Sequence, residues 1–310
     1  MQLANSKTGD PVLRRFVRRA AGEDAAVVQK LLRMGVYVHI HIDWRLPGEW
    51  LERPGFVVYD LQNAGGGRER GGSSEVVACL AVAAEPPPAA WVRVAAVEST
   101  AGFAQTEVMF AQILEDLDPR IDEIAWFLTD YWPLHWLERL GFVPVSEVIG
   151  YRREGVDAPA YSLPPGLAIR PLLMDDIPAL EAIEAAAFEP RWRHSAADLF
   201  LAWRHSINFT VALLDGMLVA YQFSTGGDGN AHLSRMTVHP AQQGKGIGAA
   251  LLANALENYR LQNIRTVTLN TQTDNLPSRR LYERFGFEAT GFSYPVWSFF
   301  PSKVNNDNPS

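Results

Sequence analysis

The sequence predicts an α/β (α+β) protein made of two similar domains in tandem. Its 310 residues exceed one typical domain and suit two of about 150 each. The halves also align with each other at an offset of about 145 to 152 residues, a whole-domain repeat. Val17 to Ala25 (VRRAAGEDA) lines up with Ile169 to Ile177 (IRPLLMDDI), each a short strand followed by an acidic helix start. Leu137 to Phe142 (LERLGF) lines up with Tyr282 to Phe287 (YERFGF), each a helix closed by Gly with Phe opening the next strand. The third observation is a strand, Ala231 to Val238, running through a Gly-rich turn straight into a helix, Ile247 to Leu261.

Taken in order, Phe56 to Leu61 and Glu75 to Ala83 read as neighbouring strands, joined by a flexible Gly-rich hairpin loop, Ala64 to Ser74. A Pro-rich loop at Pro86 to Pro88 precedes a strand from Trp91 to Val97. Prolines 159, 164 and 165 place a linker at 156–166, between a first domain at 1–155 and a second at 167–301. The second domain opens with a strand near Leu167 to Arg170 and a helix near Asp176 to Phe188, then a connecting segment, Glu189 to Ser206. Strands Phe209 to Leu214 and Met217 to Thr225 flank Asp215-Gly216, a strong two-residue hairpin signal. After the turn and its helix come a β-branched strand, Ile264 to Asn270, a helix carrying Tyr282, and a final hairpin ending near Trp297. The tail 302–310 is polar and reads as disordered.

The turn carries the chemistry. Gly244, Gly246 and Gly248 alternate, so a run of backbone N–H groups stands unshielded. A helix N-terminus adds four unpaired donors and about half a positive charge. Together they suit a diphosphate, although a plain strand-to-helix turn reads the same locally. No Gly-Lys-Ser/Thr follows at Walker spacing, and G-x-G-x-x-G is not matched.

Gln243-x-x-Gly246-x-Gly248 resembles the acetyl-CoA signature of the GNAT acetyltransferase superfamily. Asn275 to Phe287 (NLPSRRLYERFGF) is similar to that family's second motif, in the expected order. The resemblance implies two tandem GNAT domains, each a mixed, mostly antiparallel central sheet flanked by helices. It also implies an acetyl-CoA-dependent N-acetyltransferase in which acetyl-CoA is a substrate and a primary amine of a small molecule or peptide is the acceptor. On this basis the backbone of Gln243, Gly244, Lys245, Gly246, Ile247, Gly248 and Ala249 holds the phosphates. Met236 and Val238 pair with the pantetheine arm where the central strand splays from its neighbour, which ends at Asn270, and the Met236 N–H serves as oxyanion donor. Tyr282 matches the general acid, and Ser278 is small enough to let the cofactor pass. Asn275 has two compatible roles, contacting the pantetheine arm and capping the helix that Pro277 begins. Lys245 is either a point charge for a phosphate or a solvated side chain.

His232 falls where several family members carry a base, with a solvent-facing strand-end histidine as the competing reading. Phe188 to His194, including Arg191, Trp192 and Arg193, either shapes the acceptor pocket or is a solvated loop. In the first domain the matching turn, Glu98 to Glu107, lacks the spaced glycines, Glu107 is anionic, and Leu137 stands opposite Tyr282. That domain is expected to lack an acetyl-CoA site. Mycothiol-forming acetyltransferases share the inactive-plus-active architecture. The rival from another class is a non-catalytic acyl-CoA-binding or sensing module.

Composition narrows the partners. A net charge of −7 argues against a nucleic-acid partner. One cysteine, Cys79, fits a reducing cytoplasm, and no apolar run suits a membrane span or a signal peptide. His39, His41 and Asp43 share a strand face, but no further Cys/His cluster completes a metal site, so none is expected. Trp126, Phe127, Tyr131, Trp132 and Trp136 read as core or packing aromatics. The expected assembly is a monomer or homodimer.

Overall fold

A computed structural model describes residues 10–42, 44–65, 75–84, 86–159 and 161–301. Asp43, most of the Gly-rich loop expected at 64–74, and the tail 302–310 lie outside the described residues. The chain forms two compact units, one of residues 1–145 with 296–310 and one of residues 146–295.

The first unit holds α1 (Pro11–Arg14), β1 (Val17–Arg19), α2 (Ala25–Met34), β2 (Tyr37–Ile40), β3 (Phe56–Asp60), β4 (Val76–Ala84), β5 (Ala89–Val97), α3 (Phe103–Glu115), β6 (Glu123–Phe127) and α4 (Leu134–Leu137), and β7 (Val143–Glu154) begins there. Its sheet runs β1-β3-β4-β5-β6, with only β5 and β6 parallel. Every residue of β5 is buried because apolar clusters cover both faces of the sheet. Val108, Met109 and Ile113 of α3 pack on one face and Val28 and Leu31 of α2 on the other. A strand covered twice therefore reads as an unbroken apolar run.

The second unit holds β8 (Leu167–Pro171), α5 (Ile177–Ala187), α6 (Ala196–His205), β9 (Asn208–Leu214), β10 (Met217–Gly227), β11 (Asn230–Val238), α7 (Ile247–Leu261), β12 (Thr266–Gln272), α8 (Leu276–Arg284) and most of β13 (Glu288–Phe299). Its order is β8-β9-β10-β11-β12, again with one parallel pair, β11 and β12. Both sheets are thus mixed and mostly antiparallel, as the resemblance implies. Asp215 and Gly216 both take positive φ, 50° and 82°, the two-residue turn expected between β9 and β10. No helix among the described residues is long and apolar enough to cross a membrane.

The repeat holds at the level of atoms. Arg18 grips Asp24 with two bonds of 2.7 and 2.8 Å, and Arg170 grips Asp176 with the same pair of lengths. In each copy the aspartate also accepts from the backbone three residues earlier, Ala21 or Leu173, fixing the strand-to-helix corner. Gly141 and Gly286 both have positive φ, 85° and 77°, and both close their helices. The following Phe142 and Phe287 donate back to Leu137 and Tyr282.

Three features differ from expectation. Residues 146–154 pair antiparallel with β12, and residues 296–299 pair antiparallel with β6. Each unit is therefore completed by a segment from the other half of the sequence, whereas the sequence alone divides the chain at 155 and 167. The final hairpin is instead one strand, β13, with Gly291 at φ 81° inside it. The connecting segment 189–206 contains α6, started by a Ser195–Asp198 capping box. Its S-x-x-D signal is present in the sequence.

Candidate active site

β11 and β12 pair over only four residues, Asn230↔Thr266 to Leu233↔Leu269. Beyond that point β11 stays on β10 and β12 stays on β7, so the two central strands part. Ser234 sits at the divergence as a bulge, since Phe223 pairs with Arg235 but Ser224 pairs with Leu233. The extra residue shifts the facing of the strand. Leu233 and Met236 pack into the same apolar cluster, a spacing that an unbroken strand cannot give.

Backbone polarity at the gap follows from the ladder. His239 N–H donates to Val219 O at 2.8 Å, so Thr237 and Arg235 bond to β10 by alternation. The N–H and C=O groups of Met236 and Val238 then face the gap. Thr273 N–H on Glu147 O places those of Asn270 and Gln272 on its opposite side. Gln243 Nε2 reaches the outward Val238 carbonyl at 3.1 Å, tying the turn to the strand.

The turn ends in an uncapped helix. Gly244 and Gly246 take φ of 78° and 81°, a region that side chains rarely tolerate, and Gly246 is the left-handed N-cap of α7. Among the described residues no acceptor meets the N–H groups of Gly244, Lys245 and Gly246. Those of Ile247, Gly248 and Ala249 lack intrahelical partners by geometry. The Ile247 and Ala249 side chains are buried, so only their amides face outward. Lys245 Nζ rests on Gln242 Oε1 at 2.6 Å, and Tyr161 donates to Gly246 O at 3.3 Å.

On α8, Asn275 Oδ1 accepts from Ser278 N–H at 3.3 Å, which is the capping role. Tyr282 is 6 % exposed, with the rings of Tyr151 and Phe287 centred 6.2 and 5.9 Å away. Burial pushes its phenol to about 12, against the Arg235 charge and a Ser278 hydrogen bond that pull it down. Tyr151 of β7 donates to Glu283 at 3.0 Å and accepts from Arg279 at 3.1 Å, holding α8 on both sides of Tyr282.

His232 is half-buried rather than solvent-facing, and burial holds its pKa below the ordinary value. Its Nδ1 lies 2.9 Å from Thr268 Oγ1, and that hydroxyl lies 3.5 Å from Ala231 O. The imidazole and the hydroxyl share one hydrogen bond, whose direction follows the ring tautomer. With its pKa lowered by burial the ring is held neutral, the form that can take a proton.

Sequence reasoning missed Glu184 and Arg235. Glu184 is 1 % exposed and accepts from Arg235 Nε at 3.0 Å, His194 N–H at 2.9 Å, Thr237 Oγ1 at 3.3 Å, and Tyr221. Arg235 also donates to Trp192 O and lies 3.6 Å over the Phe188 ring. Burial pushes the Glu184 carboxyl up, but the Arg235 charge and hydrogen bonds outweigh it and hold it below the usual range. The available signal was one acid inside the otherwise apolar second half of α5.

The first unit differs where it matters. Its central pair, β5 and β6, parts after Trp91↔Ala125, but β2 pairs with the freed edge, from Ile40↔Val94 to Tyr37↔Val97. The space open in the second unit is filled here by the chain's own backbone. The turn is also self-satisfied, with Gly102 N–H on Ser99 O and Ala101 N–H on Ser99 Oγ. A Cβ on Gly102 would meet Val97 Cγ1 at 2.3 Å, so this glycine serves close packing. Trp126, Trp132 and Trp136 join the core around β2, and Trp132 Nε1 donates to Val38 O.

The second unit thus presents a splayed parallel pair beside an uncapped, glycine-started helix. Residues 177–287 match the sequence model described as "Acetyltransferase (GNAT) family", and that stretch is a GNAT acetyltransferase domain. An uncharacterized N-acetyltransferase of Methanocaldococcus jannaschii is 37 % identical over 94 residues, which span 30 % of this chain and 58 % of that protein. Two solved structures share the fold across nearly the whole chain. A GCN5-related N-acetyltransferase from Sphaerobacter thermophilus has a TM-score of 0.58 at 17 % identity, covering 92 % of this chain and 95 % of that one. A tandem GNAT protein from the clavulanic acid biosynthesis pathway has a TM-score of 0.60 at 18 % identity, covering 95 % and 99 %.

Proposed function

We propose that the protein is an acetyl-CoA-dependent N-acetyltransferase with one active domain, the second, acting on a primary amine by direct attack. The observation that carries this reading is the parting of β11 from β12 beside the uncapped start of α7, with Tyr282 on the adjoining helix. The amides from Gly244 to Ala249 bind the CoA phosphates, and the facing edges at Met236, Val238 and Asn270 pair with the pantetheine amides. The neutral acceptor nitrogen attacks the thioester carbonyl carbon while Met236 N–H stabilises the oxyanion. His232 takes the nitrogen's proton, the C–S bond breaks, and Tyr282 protonates the leaving thiolate.

The first domain, in this reading, carries no acetyl-CoA site, because β2 occupies the matching edge. Two measurements test the proposal together. Calorimetry is expected to give one CoA per chain, and a thiol-release assay over amines, amino acids and aminoglycosides is expected to find an acceptor. Two equivalent CoA sites contradict the assignment of the first domain. CoA binding without acetylation of any amine turns the protein into a sensor.

A further inference from the structure

We infer that the buried Glu184–Arg235 pair is a positioning device for the amine acceptor site, fixing segment 188–194 against the strand that carries the oxyanion donor. The inference rests on the proposed acetyltransferase reading and adds the group that sets acceptor recognition. Arg235 immediately precedes Met236 on β11 and follows the bulge at Ser234. Its guanidinium holds three points of the segment or its anchor at once: the Trp192 carbonyl, the Phe188 ring face and the Glu184 carboxylate. Glu184 in turn accepts the His194 N–H, so residues 188, 192 and 194 all hang on one ion pair. Thr237 and Tyr221 complete the carboxylate's shell from β11 and β10.

A pair serving stability alone has no need of this arrangement. Buried ion pairs roughly break even against apolar residues, and their best-attested use is to fix one geometry. Here the geometry fixed is that of the loop end between α5 and α6. The guanidinium fork is required, since an ammonium is a single point charge and cannot span carboxylate, carbonyl and ring together. Arg235→Lys keeps the charge on Glu184 while releasing Trp192 and Phe188.

The test uses the full-length chain with Arg235→Lys and, separately, Phe188→Leu, which removes only the ring under the guanidinium. Arg235→Lys is expected to raise the acceptor KM about tenfold or more, a loss of positioning, while the acetyl-CoA dissociation constant stays within about twofold. Phe188→Leu is expected to raise the acceptor KM in the same direction by less. Amide hydrogen exchange over 188–195 is expected to accelerate in both variants, with exchange in α7 unchanged. Equal losses in acceptor KM and acetyl-CoA affinity, or unchanged exchange over 188–195, overturn the inference. If Arg235→Lys does not fold, the Phe188→Leu exchange and KM data decide alone. If the wild type acetylates no amine, the parent reading fails and the acceptor role falls with it; accelerated exchange confined to 188–195 then shows only that the ion pair holds the segment.

Discussion

Replacing Tyr282 by Phe removes one oxygen and little else. The ring is enclosed by Tyr151 and Phe287, and Phe fills the same space, so the fold loses only the Ser278 hydrogen bond, worth about 1 kcal/mol. The cost to the proposed chemistry is larger, and its size follows from matching proton affinities. Tyr282 is held at about 12 by burial. Cys79, a buried thiol of this same protein, is pushed by burial from 9.0 to about 12. Desolvation raises a thiolate's pKa in the same direction as a phenol's, so closing the site to water brings the two toward each other. A matched general acid contributes roughly 10²- to 10⁴-fold. That corresponds to about 3 to 5 kcal/mol of barrier. The expected result for Tyr282→Phe is a kcat lower by about two to four decades, with acetyl-CoA affinity by calorimetry within about twofold. A kcat within about threefold of wild type refutes the matching argument. Equal losses of kcat and CoA affinity make Tyr282 a packing residue.

Gly246→Ala forces a side chain to φ 81°, a strain of about 1 to 3 kcal/mol at the start of α7. It is expected to weaken acetyl-CoA binding with little change in kcat at saturation; unchanged affinity means that the turn is not the cradle. The acid limb of the kcat–pH profile is expected below the ordinary histidine value, because burial disfavours the charged form of His232. His232 is then neutral and active above its lowered pKa and protonated below it. His232→Ala should abolish that limb, and a limb that persists assigns the base elsewhere. Cys79 is 1 % exposed with its thiol held at about 12, so a disulfide reagent at neutral pH should label it only after unfolding. Labelling of the folded protein at the rate of a free thiol contradicts the packing of β4.

Much of the second unit was legible because its determinants are local. Asp215-Gly216 supplies two positive φ angles from its own chemistry. Gly244 and Gly246 are spaced as a turn needs, and α7 runs over Ile247–Leu261, the limits its apolar spacing predicts. Tyr282 was placed by a motif lying on one helix. The Arg18–Asp24 and Arg170–Asp176 corners are short-range too, which is why the repeat shows in sequence at all.

What the sequence left open concerns which strand edge meets which. Alternation tells a strand its faces but not its neighbour. Nothing near residues 146–154 says that they pair with β12, nor near 296–299 that they pair with β6. The closing of the first unit's gap by β2 is hidden in the same way, because Tyr37–Ile40 and Val94–Val97 are far apart in the chain. The bulge at Ser234 is one residue long, yet it turns Arg235 toward Glu184 and Met236 toward the core. Sequence by itself determined the turns, caps and motif residues, whose energetics are settled within a few positions. Tertiary structure decided edge pairing, the facing of β11 beyond its bulge and the burial that sets each pKa, since each depends on residues brought together only by folding.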